Sequence, residues 1–208
     1  RIFSTVQEHR AGLLELACET DFVARNNDFV RFGDELITAI VDSDLQEVSP
    51  DMEQQIKEII STLKENIKIR RFRTMQIASG EMITDYIHGE GRIGVLVKIK
   101  ADKPEVLQEQ KVKDFLFDCA LHVAAFNPTY LSQENVDKEY LQEQEEIFKT
   151  QALQLGKPEK VVDGIVKGKM KKHLSEICLL DQGFVKEEKK SVNQVLQEVA
   201  KAVGAQLS

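Results

Sequence analysis

The spacing of the apolar residues changes near residue 18, and this change constrains the fold more than any other feature. Residues 1–18 hold two short apolar runs around a turn near His9 to Gly12, which is typical of a β-hairpin. From Thr20 the spacing becomes three and four residues, which predicts a helix with one buried face, in two pieces around Asn26 and Asn27. A sheet covered by helices follows from this change. The apolar positions of that helix are Phe22, Val23, Phe29, Phe32, Leu36, Ile37 and Ile40.

A second helix and three extended segments come next. Ser49 is suited to cap a helix and Pro50 to open it, and the apolar spacing carries this helix to about Asn66. Glycines then separate three extended segments, as an antiparallel meander requires. The segments are residues 67–79, 82–88 and 92–101.

The second half of the chain is predicted to be mostly helical. Pro104 marks a boundary, and a helix with an apolar stripe ends before Asn127. Two further helices, over residues 134–155 and from Pro158, are joined by the short turn at Gly156, Lys157 and Pro158, which predicts a projecting antiparallel helical hairpin of the coiled-coil type. After a charged run, Ser191 caps a last helix.

These elements predict an α+β fold in which two subdomains each pack helices on a small antiparallel sheet. The first subdomain comprises residues 1–103, and the second comprises residues 104–133 and 179–208. The helical hairpin comprises residues 134–178.

Composition favours a protein partner. The 208 residues carry a formal charge of −7, whereas a nucleic-acid surface usually shows a basic excess. No window approaches the roughly 20 apolar residues that span a bilayer, so neither a membrane nor secretion is expected. The three cysteines are far apart and form no C-x-x-C pair, which argues against a disulfide framework or a zinc site and favours a reducing compartment.

Two glycine-rich stretches resemble nucleotide-binding motifs but lack the required context. Residues 89–94 fit G-x-G-x-x-G, yet a β-branched strand follows them instead of a helix, so a glycine-rich hairpin turn is the better interpretation. Residues 164–169 are one residue too short for a P-loop, and Met170 stands where a Ser or Thr must reach magnesium. No nucleophile-elbow or H-E-x-x-H motif is present.

Three local features allow more than one interpretation. Glu19 and Asp21 fit an acid/base pair, but Thr20 as a helix cap with Asp21 in the first turn explains them better. Phe22, beside that cap, is either a staple into the core or an exposed anchor for a partner. His122 lies among apolar residues of its helix, which favours a half-buried histidine with satisfied hydrogen bonds.

Several stretches, taken in order, resemble the elongation factor Ts family, whose signature is built around Thr-Asp-Phe-Val. The likeness covers almost the whole chain, and its strength lies in the joint order and spacing of the motifs. The similar stretches are residues 14–26, 65–71, 86–89, 92–97, 121–125 with 127–128, 156–158, 167–170 and 178–185.

The resemblance implies a guanine-nucleotide exchange factor of translation elongation that binds elongation factor Tu, disturbs its magnesium site and promotes GDP release. This is an activity of binding, with no enzyme chemistry, cofactor or metal of its own and no direct contact with nucleic acid. In the family the Asp-Phe pair enters between helices of the partner, a role that falls here on Asp21 and Phe22. The partner-contact residues implied by position are Thr20, Asp21, Phe22, Val23, Ile93, Gly94 and His122.

Family members normally begin with a small ubiquitin-associated-like helical domain and continue past the last helix into a strand of the Arg-Phe-Glu-Val type. We therefore expect these residues to be part of a longer chain. The family implies a bacterial cytoplasm or an organelle of bacterial descent. Self-association is left open.

Two rival functions remain at this stage. An enzyme would use Glu19 and Asp21 on a small substrate. A generic interaction module would dock through the helical hairpin, between Leu141 and Ile177, without the Thr-Asp-Phe segment.

Overall fold

The computed structural model describes residues 1–156 and 158–208, with the backbone alone for Glu159, and it is an α+β fold. Two compact units are present: residues 1–124 with 199–208, and residues 125–198. The three-part division predicted from the sequence stays a prediction. In the described part of the chain, no helix is long and apolar enough to cross a membrane.

A three-stranded antiparallel sheet forms the base of the first unit. Strands β1 (Ile2–Val6) and β2 (Arg10–Ala17) form the predicted hairpin, and β3 (Lys68–Gln76) pairs with the other edge of β2. The turn lies at residues 7–9, earlier than predicted, so Gly12 is inside β2. There Gly12 lies close to the side chains of Val41 and Ile37, which leave no room for a Cβ atom. The glycine that was predicted to form a turn is therefore needed for packing within a strand.

Three helices cover this sheet. Helices α1 (Asp21–Ala24) and α2 (Asn27–Asp42) confirm the predicted break, and α3 (Pro50–Leu63) begins after its predicted cap, Ser49. Helix α3 ends three residues before Asn66, because Lys64 adopts a left-handed conformation with φ 58°. The buried core between sheet and helices includes Phe3, Leu14, Leu16, Phe29, Leu36, Ile37, Ile40 and Ile67.

The prediction of a three-stranded meander is wrong. Strands β4 (Glu81–His88) and β5 (Ile93–Lys100) form a separate hairpin, while the first of the three segments, β3, joins β2. Glycines indicate where a strand ends but do not determine its partner, and β2 offered an edge whose apolar face matches that of β3. The hairpin contacts the first sheet through Ser4, whose Oγ donates to Asp85 Oδ2 at 2.5 Å.

Helix α4 (Gln110–Phe126) follows a short 3₁₀ turn at Pro104–Gln108. It buries one apolar stripe and ends before Asn127, as predicted. Its buried apolar residues are Val112, Phe115, Leu116, Cys119 and Ala120.

The second unit contains a pair of long helices and a small sheet. Helices α5 (Lys138–Gln154) and α6 (Glu159–Ile177) pack together around Ala152, Val162 and Val166. Tyr140 Oη lies 2.7 Å from His173 Nε2, and Lys169 Nζ donates to Gln151 Oε1 at 2.8 Å, so the two helices run antiparallel. Whether they project as a hairpin stays a prediction, and Lys157 of the predicted turn lies outside the described residues.

Strands β6 (Gly183–Phe184) and β7 (Glu187–Ser191) form a two-stranded antiparallel sheet, and α7 (Val192–Val203) follows. The charged run after Phe184 is therefore partly a strand. Ser191 caps α7 as predicted, since its Oγ accepts from the Gln194 amide at 3.2 Å while Gln194 Oε1 accepts from the Ser191 amide at 2.8 Å.

Candidate functional site

The segment Thr20–Val23, called here the corner, connects the end of β2 to α2. Thr20 is extended, with φ −122° and ψ 156°, and its Oγ1 accepts a hydrogen bond from the Val23 amide at 3.3 Å. This confirms that Thr20 caps a helix. The helix it caps, α1, has only four residues and none of them is buried.

The side chain of Phe22 is 83% exposed. The interpretation of this ring as a staple into the core is therefore wrong, and the alternative, an exposed anchor, fits its placement. Its neighbour Val23 turns inward and packs against the core cluster of the first unit. One apolar residue of the corner thus holds it to the protein while the other is presented to the solvent.

The carboxylate of Glu65 lies against the chain just before Phe22. Glu65 Oε2 accepts hydrogen bonds from the backbone amides of Glu19 at 3.1 Å and Thr20 at 3.0 Å. The hydroxyl of Thr20 donates to Glu65 Oε1 at 2.5 Å. The sequence offered Glu65 only as part of a family-like stretch and gave it no role. The three contacts link residues that are 45 or 46 positions apart, so no local pattern could have revealed them.

Two arginines hold the other end of the corner. Arg25 Nε lies 3.1 Å from Glu90 Oε2, in the turn between β4 and β5, and the Arg25 guanidinium also lies 3.9 Å from Asp21 Oδ2. Arg1 donates from one terminal guanidinium nitrogen to the Ala24 carbonyl at 3.1 Å. The corner is therefore tied to the β4–β5 turn by polar contacts.

A cleft of about 320 Å³ lies between the corner and this turn. Its charges are partly paired: Arg71 Nε lies 2.7 Å from Glu15 Oε2, and Arg25 meets Glu90. Within the described residues Arg92 is exposed and has no ion pair. The charged residues of the cleft are Arg1, Glu15, Asp21, Arg25, Arg71, Glu90 and Arg92.

Ile93 and Gly94 follow the same turn at the start of β5. Ile93 is 39% exposed and pairs with His88 across the hairpin. A Cβ atom added at Gly94 would collide with the side chain of Ile2, which explains why a glycine is needed at this crossing of β1 and β5. The structure thus places Ile93 and Gly94 beside a turn that the corner contacts directly.

His122 is placed differently from the other candidates. It lies on α4 and is 0% exposed, so the expectation of a half-buried ring is wrong. Its helix has apolar neighbours on both sides of it, and the core closes over the imidazole completely. The structure does not bring this ring to the surface that carries Phe22, and its role in partner contact stays a prediction.

The thiol of Cys18, just before the corner, makes a contact that stabilises the local backbone. Cys18 Sγ donates to the Thr20 carbonyl at 3.3 Å, and burial raises the pKa of the Cys18 thiol. Among the described residues, no group of three His, Cys, Asp or Glu side chains is arranged to hold a metal ion.

Comparison with known proteins shows the family of this chain. A family model described as "Elongation factor TS" matches residues 19–207. The chain belongs to the elongation factor Ts family. It is 48% identical over 204 residues to elongation factor Ts of Borrelia recurrentis, covering 98% of this chain and 73% of the relative. The protein of the same name from Treponema denticola is 44% identical over 199 residues, or 96% and 71% of the two chains. That of Borreliella burgdorferi strain ZS7 is 46% identical over 208 residues, or 100% and 75%.

Because the chain belongs to the elongation factor Ts family, it belongs to a family of translation factors. Within the match, the corner, Glu65 and the β4–β5 turn all fall inside the family model, which begins at Glu19. Phe22 therefore lies within the segment that the family model matches.

Proposed function

We propose that this chain binds elongation factor Tu and promotes release of GDP by disturbing the magnesium site of that partner. The observation that carries the proposal is the exposure of Phe22 on a corner held by polar contacts, in a chain of this family. Among the large hydrophobic residues of the described part of the chain, Phe22 is the most exposed, and aromatic side chains are frequent anchors of protein interfaces.

The exchange follows from linkage between two ligands of the partner. If the chain binds nucleotide-free Tu more tightly than GDP-bound Tu, GDP must weaken its binding by the same factor. Magnesium requires near-octahedral oxygen ligands and bridges the nucleotide to its protein. A ring inserted between the helices that carry those ligands would displace them and loosen GDP. The activity is therefore binding, with no chemical conversion.

The residues proposed to contact the partner divide into two groups. Thr20, Asp21, Phe22 and Val23 form the corner, where Phe22 enters the partner and the others hold it. Ile93 and Gly94 form a second, flatter contact beside the β4–β5 turn. For His122, a role in supporting the contact surface from inside α4 is compatible with its burial. The proposed compartment is the bacterial cytoplasm, and the proposed partner is a protein.

A second candidate function is a docking arm formed by α5 and α6. It is favoured by the exposed apolar residues near the ends of these helices, where Leu155 is 70% exposed and Leu153 and Val161 are also exposed. In the first function the partner binds the corner, and in the second it binds the α5–α6 pair. Substitutions in one region or the other therefore distinguish the two functions.

The test is release of a fluorescent GDP analogue from Tu, measured with increasing concentrations of this chain. We expect the chain to accelerate release and Phe22→Ala to reduce the second-order rate constant about 30-fold, since an aromatic anchor often contributes about 2 kcal/mol or more. Because the ring is exposed, the free energy of unfolding should change by less than about 0.5 kcal/mol.

Two controls accompany this measurement. Phe126→Ala removes another exposed ring, 47% accessible and outside the corner, and should leave release unchanged. Leu155→Ser alters the proposed docking arm and should also have no effect. Unchanged release with Phe22→Ala would contradict the proposed mechanism, and loss of release with Leu155→Ser would favour the docking arm.

A further inference from the structure

Glu65 is the charged residue that contacts the corner most extensively. Its carboxylate accepts three hydrogen bonds, from the Glu19 amide, the Thr20 amide and the Thr20 hydroxyl, at 3.1, 3.0 and 2.5 Å. The Thr20 hydroxyl thus donates to Glu65 while accepting from the Val23 amide. The Thr20 hydroxyl therefore acts as both donor and acceptor. The side chain of Glu65 holds the backbone at the point where it enters α1.

The corner has little else to fix its conformation. Helix α1 is four residues long and buries none of them, so apolar packing contributes only through the partly buried Val23. A helix this short cannot sustain itself, because nucleation costs more than a single turn returns. The conformation of Phe22 therefore depends on polar contacts before and after it. Glu65 provides three contacts before it, beside that of Cys18 Sγ with the Thr20 carbonyl, and Arg1 and Arg25 provide those after it.

Glu65 is well placed for this task. It follows α3 and precedes β3, two elements that pack on the core of the first unit, α3 through Ile60 and Leu63 and β3 through Phe72. Lys64, the residue before it, has the left-handed conformation that turns the chain from α3 toward the sheet. The Glu65 carboxylate is thus carried by the connection between α3 and β3, which is packed on the core. It holds the corner, which has little packing of its own.

We propose that Glu65 is a positioning residue for exchange: it holds the Glu19–Thr20 backbone so that Phe22 is presented to the partner already ordered. This inference rests on the proposed function of Phe22. A side chain ordered before binding avoids the entropy cost of ordering during binding, so its affinity for the partner is higher. Glu65 itself need not touch the partner.

The test compares Glu65→Ala and Glu65→Gln in the GDP-release assay with Tu. Alanine removes all three contacts, and we expect the second-order rate constant to fall about tenfold, since hydrogen bonds to a charged group are stronger than neutral ones. Glutamine can still accept both amides through its oxygen and donate to the Thr20 hydroxyl, so it should restore most of the rate. Glu53→Ala, on exposed α3 surface, is the matched control and should have no effect.

Two further measurements separate positioning from general stability. In the Phe22→Ala background, Glu65→Ala should cause no additional loss of exchange, because there is no ring left to position. Amide hydrogen exchange of Glu19, Thr20 and Val23 should speed up in Glu65→Ala, while the amides of β2 stay protected.

The outcomes distinguish the two proposals. If Phe22→Ala slows exchange and Glu65→Ala does not, the positioning role is wrong and the function of Phe22 stands. A tenfold loss that persists in the Phe22→Ala background would also overturn positioning. If Phe22→Ala has no effect, the proposed function itself fails, whereas the hydrogen-exchange result would still report whether Glu65 orders the corner.

Discussion

Arg25 and Glu90 form an ion pair, with Nε and Oε2 separated by 3.1 Å, that joins the end of α1 to the turn between β4 and β5. Arg25 lies two residues after the corner, and Glu90 lies three residues before Ile93, so each stands beside one of the two predicted contact regions. Their pairing makes these regions neighbours on one surface. The segment that presents Phe22 is therefore held next to the turn that precedes Ile93.

We predict that Glu90→Gln weakens exchange mildly while leaving stability almost unchanged. Exposed ion pairs contribute about 0.2–1 kcal/mol, so the rate of GDP release should fall no more than about fivefold, and less at high salt. The control is Glu35→Gln, which removes a similar exposed contact 3.9 Å from Arg31 on α2. If Glu90→Gln and Arg25→Gln give fully additive losses, the pair does not act as a unit.

A second prediction concerns the packing of α2 on the sheet. A Cβ atom at Gly33 would collide with the ring of Phe3, which is buried between β1 and α2. Gly33→Ala should therefore lower the free energy of unfolding by about 1–3 kcal/mol, despite the better helix propensity of alanine. Urea denaturation followed by circular dichroism measures this loss.

Gly168→Ala is the matched control for that substitution. Gly168 also lies within a helix, α6, but in the described part of the chain no atom beyond its chain neighbours and its own helix backbone lies within 4 Å of the added Cβ. Here only the propensity difference acts, so stability of the helix pair should increase by about 0.5–1 kcal/mol. A loss of stability at both glycines would show that contact with Phe3 is not the cause at Gly33.

The helices of this chain could be predicted because their signals are local. Apolar spacing and caps at Thr20, Ser49 and Ser191 indicate where helices begin, and each depends on residues within one or two turns. The family-like motifs favoured an exposed Phe22, which the apolar spacing alone left open, and the ring is exposed. The sequence pattern wrongly placed Gly12 in the turn after β1. Gly12 lies inside β2, where the absence of a side chain allows close packing against α2.

Strand partners and long-range contacts could not be predicted in this way. Whether β3 pairs with β2 or with β4 depends on the match of whole faces, which single segments do not contain. The same is true of Glu65, whose contacts with Glu19 and Thr20 require α3 to be folded and packed first. The complete burial of His122 likewise depends on the elements that cover α4.

The last prediction concerns Cys119, which is buried on α4. Burial, with a smaller contribution from Asp118, raises the pKa of this thiol from 9.0 to about 12. In the unfolded chain the thiol ionises near pH 9, whereas in the folded chain it stays protonated until about pH 12. Above pH 9 the unfolded state therefore binds fewer protons, and the free energy of unfolding falls as pH rises, by up to about 1.4 kcal/mol per pH unit.

Urea unfolding at pH 8 and pH 10.5 measures this effect, with Cys119→Ala as the reference. Lysine and tyrosine side chains also titrate in this range, but they are common to both proteins. We therefore expect the parent chain to lose about 1–2 kcal/mol more than Cys119→Ala between the two pH values, whatever the cost of the substitution itself at pH 8. Equal losses in the two proteins would mean that the folded state admits the thiolate, which a fully packed α4 should not allow.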